Sequence, residues 1–284
     1  MAFHGHHRVM IPTVCDAMFE PLRVYGAPAL KAATAPGLAL LQRLLDARGA
    51  VMTCSGRPLR LIAQQPRPRR FDQRYEPRIW LHGELQVRDA SWHDAFNVLV
   101  WLAFPHAKAA LNARHYAALQ ERRIHEKINR GPVADALTLF DEGGVAIACA
   151  AADLADDLRQ FRWKRLFRDK RERVLREMRC CVFGHALYEK ALQPFAGMTG
   201  RAIVLPVTRE FLEQPLAVQL DGVDRELAAC IGDPAHMRTT RELAPLPILG
   251  VPGWHPDNES DAYYDDVAYF RPGRREDVRT GSDA

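Results

Sequence analysis

The polar cluster His93, Asp94 and Asn97 has residue types suited to hydrolytic or metal chemistry. On a helix, His93 and Asn97 are one turn apart and share a face, so both can point at one ligand. A histidine beside a carboxylate can bind a divalent metal, or can act as a general base that its neighbour orients. We predict that these three residues are catalytic. Two alternatives stay open: Asp94 as the third residue of a helix-capping box, and His93 as a buried histidine bonded to the backbone.

A second cluster consists of Asp135, Asp141 and Glu142, the last two of which come directly before Gly143 and Gly144. The residues on both sides of the Gly-Gly pair are rich in strand-forming types, so the sequence predicts a β-hairpin over 134–150 with the acids at its tip. Paired carboxylates at a strand end commonly hold Mg²⁺ or Mn²⁺. We therefore predict Asp141 as a metal ligand, with Glu142 as a second candidate. The alternative is that both acids favour the turn and stay solvated.

The third cluster is His185 with Glu189, which a helix would place one turn apart as a two-ligand face for zinc, iron or manganese. The neighbouring residues are apolar, and a buried pair of this kind would require a partner for each charge. Gly184 would let another backbone or a ligand approach closely. The alternative is an i,i+4 ion pair on a half-exposed helix.

Together these clusters favour a metal-dependent or acid/base hydrolase. Asp141, His185 and Glu189 are the predicted ligands of a divalent metal (Zn, Mn or Mg), and we expect His93, Asp141 and His185 to lie within ~12 Å of one another if they form one site. Lys108 and Arg130 are predicted to bind an anionic group of a small-molecule substrate.

A basic segment supports a different class of function. Residues 159–179 contain ten Lys or Arg against three Asp or Glu. Arg165, Arg168 and Arg171 could bind nucleic acid or another polyanion without catalysis. The opposing interpretation is an amphipathic helix whose apolar stripe faces the core and whose arginines are solvated, partly neutralised by acids near the C-terminus. A third alternative is a structural or regulatory partner that has no active site.

Composition excludes several other classes. The chain has 284 residues, 48% hydrophobic residues and a formal charge of +4, which is typical of a globular protein. No apolar run approaches the ~20 residues of a membrane span. The six cysteines form no C-x-x-C pair, and the N-terminus lacks the pattern of a secretory signal, so we expect a reduced, cytoplasmic protein. The cluster His4, His6 and His7 is interpreted as solvated.

The elements that must position these clusters indicate a predominantly helical α+β fold. We predict one globular domain over 26–272, an N-terminal extension (1–25), a flexible tail (273–284) and a few short antiparallel strands or hairpins. A Pro-, Gly- and aromatic-rich C-terminal segment is expected to wrap across the core. The predicted helices are 28–48, 91–103, 105–123, 152–192 and 222–231, and the predicted strands are 59–63, two within 78–87, two within 134–150, and 202–207.

Five strings in a fixed order carry a resemblance to a known family: WHDAFNVLVWLAFPHAKAALN (92–112), RGPVADALTLFDEGG (130–144), FGHALYEKAL (183–192), PLPILGVPGW (245–254) and YFRP (269–272). The chain resembles, over roughly residues 60–272, a proteobacterial family of unknown function. The resemblance implies a cytoplasmic, single-domain bacterial protein. It assigns no catalytic residue, cofactor or partner.

Overall fold

The structure is a computed structural model that describes residues 13–68, 70–125 and 131–273. The predicted substrate contact Arg130 lies outside the described residues, and so does the histidine cluster near the N-terminus. None of the helices in the described ranges is long and apolar enough to cross a membrane.

Helices dominate the described chain, as predicted for the α+β class. The helices are α1 Glu20–Leu30, α2 Leu38–Arg48, α3 Tyr75–His82, α4 Trp92–Ala103, α5 Pro105–Ile124, α6 Pro132–Gly143, α7 Ala152–Arg159, α8 Arg171–Glu177, α9 His185–Ala191, α10 Arg209–Leu212 and α11 Leu216–Gly232. The strands are β1 Arg60–Ala63, β2 Glu84–Val87, β3 Gly144–Cys149, β4 Met178–Val182, β5 Thr199–Pro206 and β6 Ala244–Pro247.

The strands form a four-stranded sheet in the order β4-β3-β5-β6 and a separate pair, β1-β2. The prediction of antiparallel strands is correct for β3-β4 and β5-β6 and wrong for β1-β2 and β3-β5, which are parallel. Parallel pairing requires a crossover of a dozen or more residues. The helical segment between β3 and β5 provides this crossover.

The core is built around β3 and α4. Every residue of β3 is buried, which is typical of a central strand covered on both faces. Helix α4 buries all its residues from Ala95 to Ala103 and contacts α1, α5 and α9. A helix that is apolar on all sides requires neighbours on all sides. The neighbours of α4 therefore fix the position of its first two turns, which carry His93, Asp94 and Asn97.

The predicted hairpin over 134–150 is wrong in its first half, because residues Pro132–Gly143 form helix α6. Pro132 is the first residue of the helix, a position that tolerates the missing amide hydrogen. Ala134, Leu137 and Phe140 then recur at helical spacing on the buried face. The Gly-Gly pair is thus a helix-to-strand junction, and Asp141 and Glu142 end a helix instead of forming a hairpin tip.

Two more predictions need correction. The first of the two strands predicted within 78–87 is the end of helix α3, which stops at Gly83 in the left-handed conformation (φ 66°). The continuous helix predicted over 152–192 is interrupted by strand β4. Residues of β4 pair with β3 over the register Met178–Cys149 to Val182–Val145. Pairing with a buried strand here outweighs the helical propensity of the segment.

Other boundaries agree with the sequence. Helix α4 begins after Ser91, whose Oγ accepts a hydrogen bond from the Asp94 amide at 3.2 Å. Pro105 is the first residue of α5, and the predicted strand over 202–207 largely coincides with β5. The C-terminal segment is an ordered irregular wrap: the buried Asn258 amide donates to the carbonyls of Leu249 and Val251.

The basic segment 159–179 is amphipathic, and its cations contact acids of the same chain. The apolar stripe faces the core as predicted and comprises Trp163, Leu166, Phe167, Val174 and Met178. Arg165 lies 3.3 Å from Asp157, Arg168 pairs with Asp261, and Arg171 donates to the carbonyl of Asn258. The acids of the C-terminal wrap thus neutralise part of this face within the chain.

Asp157 is the buried anchor of this network, and its replacement by Asn should destabilise the fold. Burial raises the pKa of Asp157, but the hydrogen bonds from Lys170 (2.6 Å) and Arg162 (3.0 Å) lower it by more than burial raises it. The net pKa therefore lies below the ordinary value. A lowered folded-state pKa stabilises the protein above the unfolded-state pKa, and this contribution is lost as the pH falls. We predict that D157N lowers the free energy of unfolding by about 2 kcal/mol at pH 7.

The measurement is urea denaturation of both proteins between neutral and acidic pH. The difference between wild type and D157N should shrink as the pH falls below about 4. The control is D156N, because Asp156 is exposed and forms a surface ion pair with the exposed Arg159. A D157N effect no larger than that of the control would contradict the prediction.

Candidate metal centre

A polar cavity of about 460 Å³ lies where the first turns of α3, α4 and α9 meet the last turn of α6 and the ends of β1 and β2. Its walls carry almost only polar side chains. They are Gln64, Tyr75, Glu76, Gln86, Arg88, His93, Asp94, Asn97, His115, Thr138, Asp141, Glu142 and His185.

Three of these residues have potential metal-ligating atoms that lie close together. One ligand atom each from His93, Glu142 and His185 lies within 4.8 Å of the other two. The Nε2 atoms of the two histidines are 3.0 Å apart, and Nε2 of His185 is 3.6 Å from Glu142 Oε2. Two ligands bound at ~2.0–2.1 Å to one tetrahedral zinc are ~3.3 Å apart. The separations in this cluster are close to that value.

Local backbone structure places Glu142 beside His185. Glu142 is in the last turn of α6, and His185 is the first residue of α9. The amide of Gly184 donates to the carbonyl of Gly144 at 2.8 Å, which joins the two helix ends. A Cβ on Gly184 would lie 2.5 Å from the amide nitrogen of Gly144 and 2.6 Å from the carbonyl oxygen of Glu142. This close approach is the one expected from Gly184 in the sequence.

Each histidine of the cluster has a carboxylate near its other ring nitrogen. His93 Nδ1 is 2.9 Å from Glu189 Oε2. His185 Nδ1 is 3.8 Å from Asp141 Oδ2, and this buried nitrogen has no hydrogen-bond partner within the described residues. A proton on Nδ1 of His93 leaves the lone pair of Nε2 free to face the cluster. The Glu189 carboxylate favours that tautomer by accepting the Nδ1 proton in a hydrogen bond.

Burial decides the charge of His185. The residue is 4% exposed, and burial lowers the pKa of His185 to about 4, so the imidazole is neutral at pH 7. Burial also raises the pKa of Glu142 above its ordinary value. A neutral imidazole is the form that binds metal ions.

Asp141 belongs to a buried chain of polar groups under the cavity. Lys108 Nζ donates to Asp141 Oδ1 at 2.5 Å and to Asn97 Oδ1 at 2.9 Å, and Asn97 Nδ2 donates to the hydroxyl of Tyr75 at 2.6 Å. Burial raises the pKa of Asp141, but attraction to Lys108 and the hydrogen bond from Lys108 outweigh the burial, so the net pKa lies below the ordinary value. Asp141 is therefore an anion whose charge Lys108 compensates.

Asp94 is committed to an ion pair. Its carboxylate accepts hydrogen bonds from the backbone amide of Arg88 at 2.7 Å and from the guanidinium Nη2 at 2.7 Å. In a full capping box, the Asp94 carboxylate would accept a hydrogen bond from the amide of Ser91. In this structure it accepts one from the amide of Arg88. This contact ties the end of β2 to the first turn of α4.

The structure brings most of the sequence-predicted residues to this one place. His93, Asn97, Asp141 and His185 line the cavity, Asp94 lies in its wall, and Glu189 contacts His93 from behind. Lys108 is 2% exposed and lies beneath the cavity, where it contacts Asp141 instead of the cavity interior. Their functional roles stay predictions. Arg165, Arg168 and Arg171 are not among the residues that line the cavity.

Three residues of the cavity lining, Tyr75, Glu76 and His115, were not predicted from the sequence. Tyr75 and Glu76 open α3, which is not among the helices predicted from the sequence, and His115 lies in the middle of α5. A signal was present at Glu76-Pro77, because an acid and a proline commonly occupy the first turn of a helix. No short motif joins Glu76 to His115, so only the packing of α3 on α5 brings them to one cavity.

The fold and the cavity define a helix-dominated α+β domain with a histidine and carboxylate cluster at the junction of three helix ends. Residues 59–274 match the model of a family described as protein of unknown function (DUF3025), and the chain belongs to that family. A search of curated proteins gives no significant match. A search of solved structures gives none either.

The close contact at Gly184 generates a prediction. G184A adds a Cβ against backbone atoms, which must move, so we expect the free energy of unfolding to fall by about 2 kcal/mol. Thermal and urea denaturation measure this change. The matched control is G143A, because a Cβ on Gly143 meets nothing within 4 Å. Equal stability of G184A and G143A would contradict the role given to the glycine contact.

Proposed function

We propose that this protein is a divalent-metal-dependent hydrolase whose metal ligands are His93, Glu142 and His185. The observation that carries the proposal is the convergence of their three ligand atoms within 4.8 Å in the wall of a cavity. Two imidazoles and one carboxylate form a common ligand set of catalytic zinc, which leaves a fourth position for water or substrate.

Glu189 and Asp141 are proposed to support the ligands. Carboxylates that accept the second ring N–H of ligand histidines fix the tautomer and increase ligand basicity. Glu189 already lies at hydrogen-bond distance from His93, whereas Asp141 is 3.8 Å from His185. Asp141 and Glu189, which the sequence suggested as ligands, thus act in this proposal from behind the histidines, and Glu142 takes the ligand position.

The ligand set also narrows the choice of metal. Imidazole nitrogens suit zinc and other transition metals, whereas magnesium prefers oxygen ligands and retains several waters. We therefore propose zinc or manganese instead of magnesium. A divalent ion in this site would supply Lewis acidity to a water or carbonyl oxygen of the substrate.

Metal binding tests the proposal first. Elemental analysis counts the metal bound to the full chain after purification without chelator. A second sample, made metal-free by dialysis, is titrated with Zn²⁺ and Mn²⁺ in a calorimeter. We expect one equivalent in wild type and loss of that equivalent in H185A and E142Q. E189Q and D141N should weaken binding roughly 10- to 100-fold, as loss of a supporting carboxylate does.

Two controls separate this site from other histidines. H236A removes an exposed histidine next to Asp233, far in sequence from the cluster, and should bind metal like wild type. A variant with Ala at positions 4, 6 and 7 removes the N-terminal histidines and should also retain the equivalent. Metal binding that survives H185A but is lost in the N-terminal variant would contradict the proposal.

Activity is the second half of the same experiment. Chromogenic ester, amide and phosphate substrates are offered to the metal-loaded wild type and to E142Q. We expect hydrolysis of one of these classes that a chelator abolishes, that added metal restores, and that E142Q lacks. If the protein binds metal tightly but hydrolyses none of the three substrate classes, it is a metal-binding protein, and the proposed hydrolase activity is contradicted.

The polyanion-binding alternative has no comparable support. Arg165, Arg168 and Arg171 each contact an acid or a carbonyl of the same chain. The basic segment 159–179 therefore has no role in the proposed function.

A further inference from the structure

The lining of the cavity that holds His93, Glu142 and His185 also carries Glu76, an acid that has no ion-pair partner among the described residues. Oε2 of Glu76 accepts one hydrogen bond, from Asn112 Nδ2 at 2.6 Å. Burial raises the pKa of Glu76, as expected for a carboxyl group that has no full counter-charge.

His115 adds a second open polar group to this wall. The residue is 5% exposed, lines the cavity, and has no hydrogen bond to another residue within the described part of the chain. Glu76 and His115 line the same cavity, because helices α3 and α5 pack against each other. A ring nitrogen of His115 that carries a lone pair can accept a hydrogen bond beside the carboxylate.

The cations around the cavity are already paired. Arg88 forms two side-chain hydrogen bonds with Asp94, and Lys108 is held by Asp141 and Asn97. Within the described part of the chain, Glu76 is thus a carboxylate of the cavity lining whose negative charge no ion pair compensates. A buried or half-buried carboxylate is stabilised most by a cation that also donates hydrogen bonds.

We infer that the cavity binds compounds with a primary ammonium group next to a hydrolysable acyl group, the ammonium seated on Glu76 and His115 and the acyl group at the metal cluster. This inference rests on the proposed function and names its substrate class. The cavity of about 460 Å³ holds both groups of a small amino-acyl compound. This ammonium-bearing substrate replaces the anionic substrate that Lys108 and Arg130 indicated in the sequence.

The experiment compares two ligands that differ only in the proposed contact. Alanine hydroxamate and lactohydroxamate share a metal-chelating group, and a hydroxyl in the second replaces the ammonium of the first. Each is titrated calorimetrically into the zinc-loaded full chain at pH 7. We expect alanine hydroxamate to bind roughly tenfold more tightly or better, because a hydrogen bond between charged groups contributes more than a neutral one.

Two variants assign that preference. E76Q removes the charge but retains an acceptor for Asn112, so it should abolish the preference and leave zinc affinity unchanged. E226Q removes an equal charge from an exposed position on α11 and should keep the preference. Because the readout is a ratio of two affinities on one protein, a general loss of stability does not mimic the expected result.

The outcomes distinguish this inference from the proposed function. If wild type binds no zinc, the metal site fails, and this inference fails with it. If zinc binds but the two hydroxamates bind equally, or neither binds, the metal site stands and the ammonium site is overturned. A preference that survives in E76Q also overturns it.

Discussion

The backbone contact between Gly144 and Gly184 is the constraint on which the site depends. It brings the end of α6 against the start of α9 at a distance that no side chain on Gly184 permits. The carbonyl of Gly144 accepts the amides of both Phe183 and Gly184, so the contact is hydrogen-bonded as well as close. Glu142 and His185 flank these glycines in sequence, and their side chains therefore face the same space.

The rest of the centre follows from how charge is compensated around that space. Helix α4 is held by buried neighbours on all sides and presents His93 from its first turn. Glu189 lies beside Nδ1 of His93, and Asp141 lies near Nδ1 of His185. Asp141 is the more buried of these two carboxylates, and Lys108 compensates its charge. Burying an anion costs several kcal/mol unless a partner and hydrogen bonds compensate for it. Lys108 is thus better explained by Asp141 than by a substrate.

The sequence predicted the residues of the site better than it predicted the elements that carry them. Helical spacing identified the pairs His93 and Asn97, and His185 and Glu189, because residues one turn apart share a face whatever the tertiary fold. The strand prediction before Gly143 was wrong, yet Asp141 was still chosen, since acids next to a glycine pair stand out in either structure. Helix α4 and its cap at Ser91 were predictable from local chemistry alone.

Contacts between distant segments could not be predicted in this way. Glu189 was expected to share a ligand face with His185, but it contacts His93, which is 96 positions away. Glu76 and His115 reach the cavity only through the packing of α3 on α5. Strand β4 was read as helix, because its pairing with β3 is not encoded in its own residues.

Anomalous diffraction from crystals of the zinc-loaded chain, recorded at the zinc absorption edge, tests the central claim most directly. The account predicts one strong peak at about 2.0–2.2 Å from Nε2 of His93, Nε2 of His185 and a carboxylate oxygen of Glu142. A peak elsewhere, or no peak between these three side chains, would contradict it.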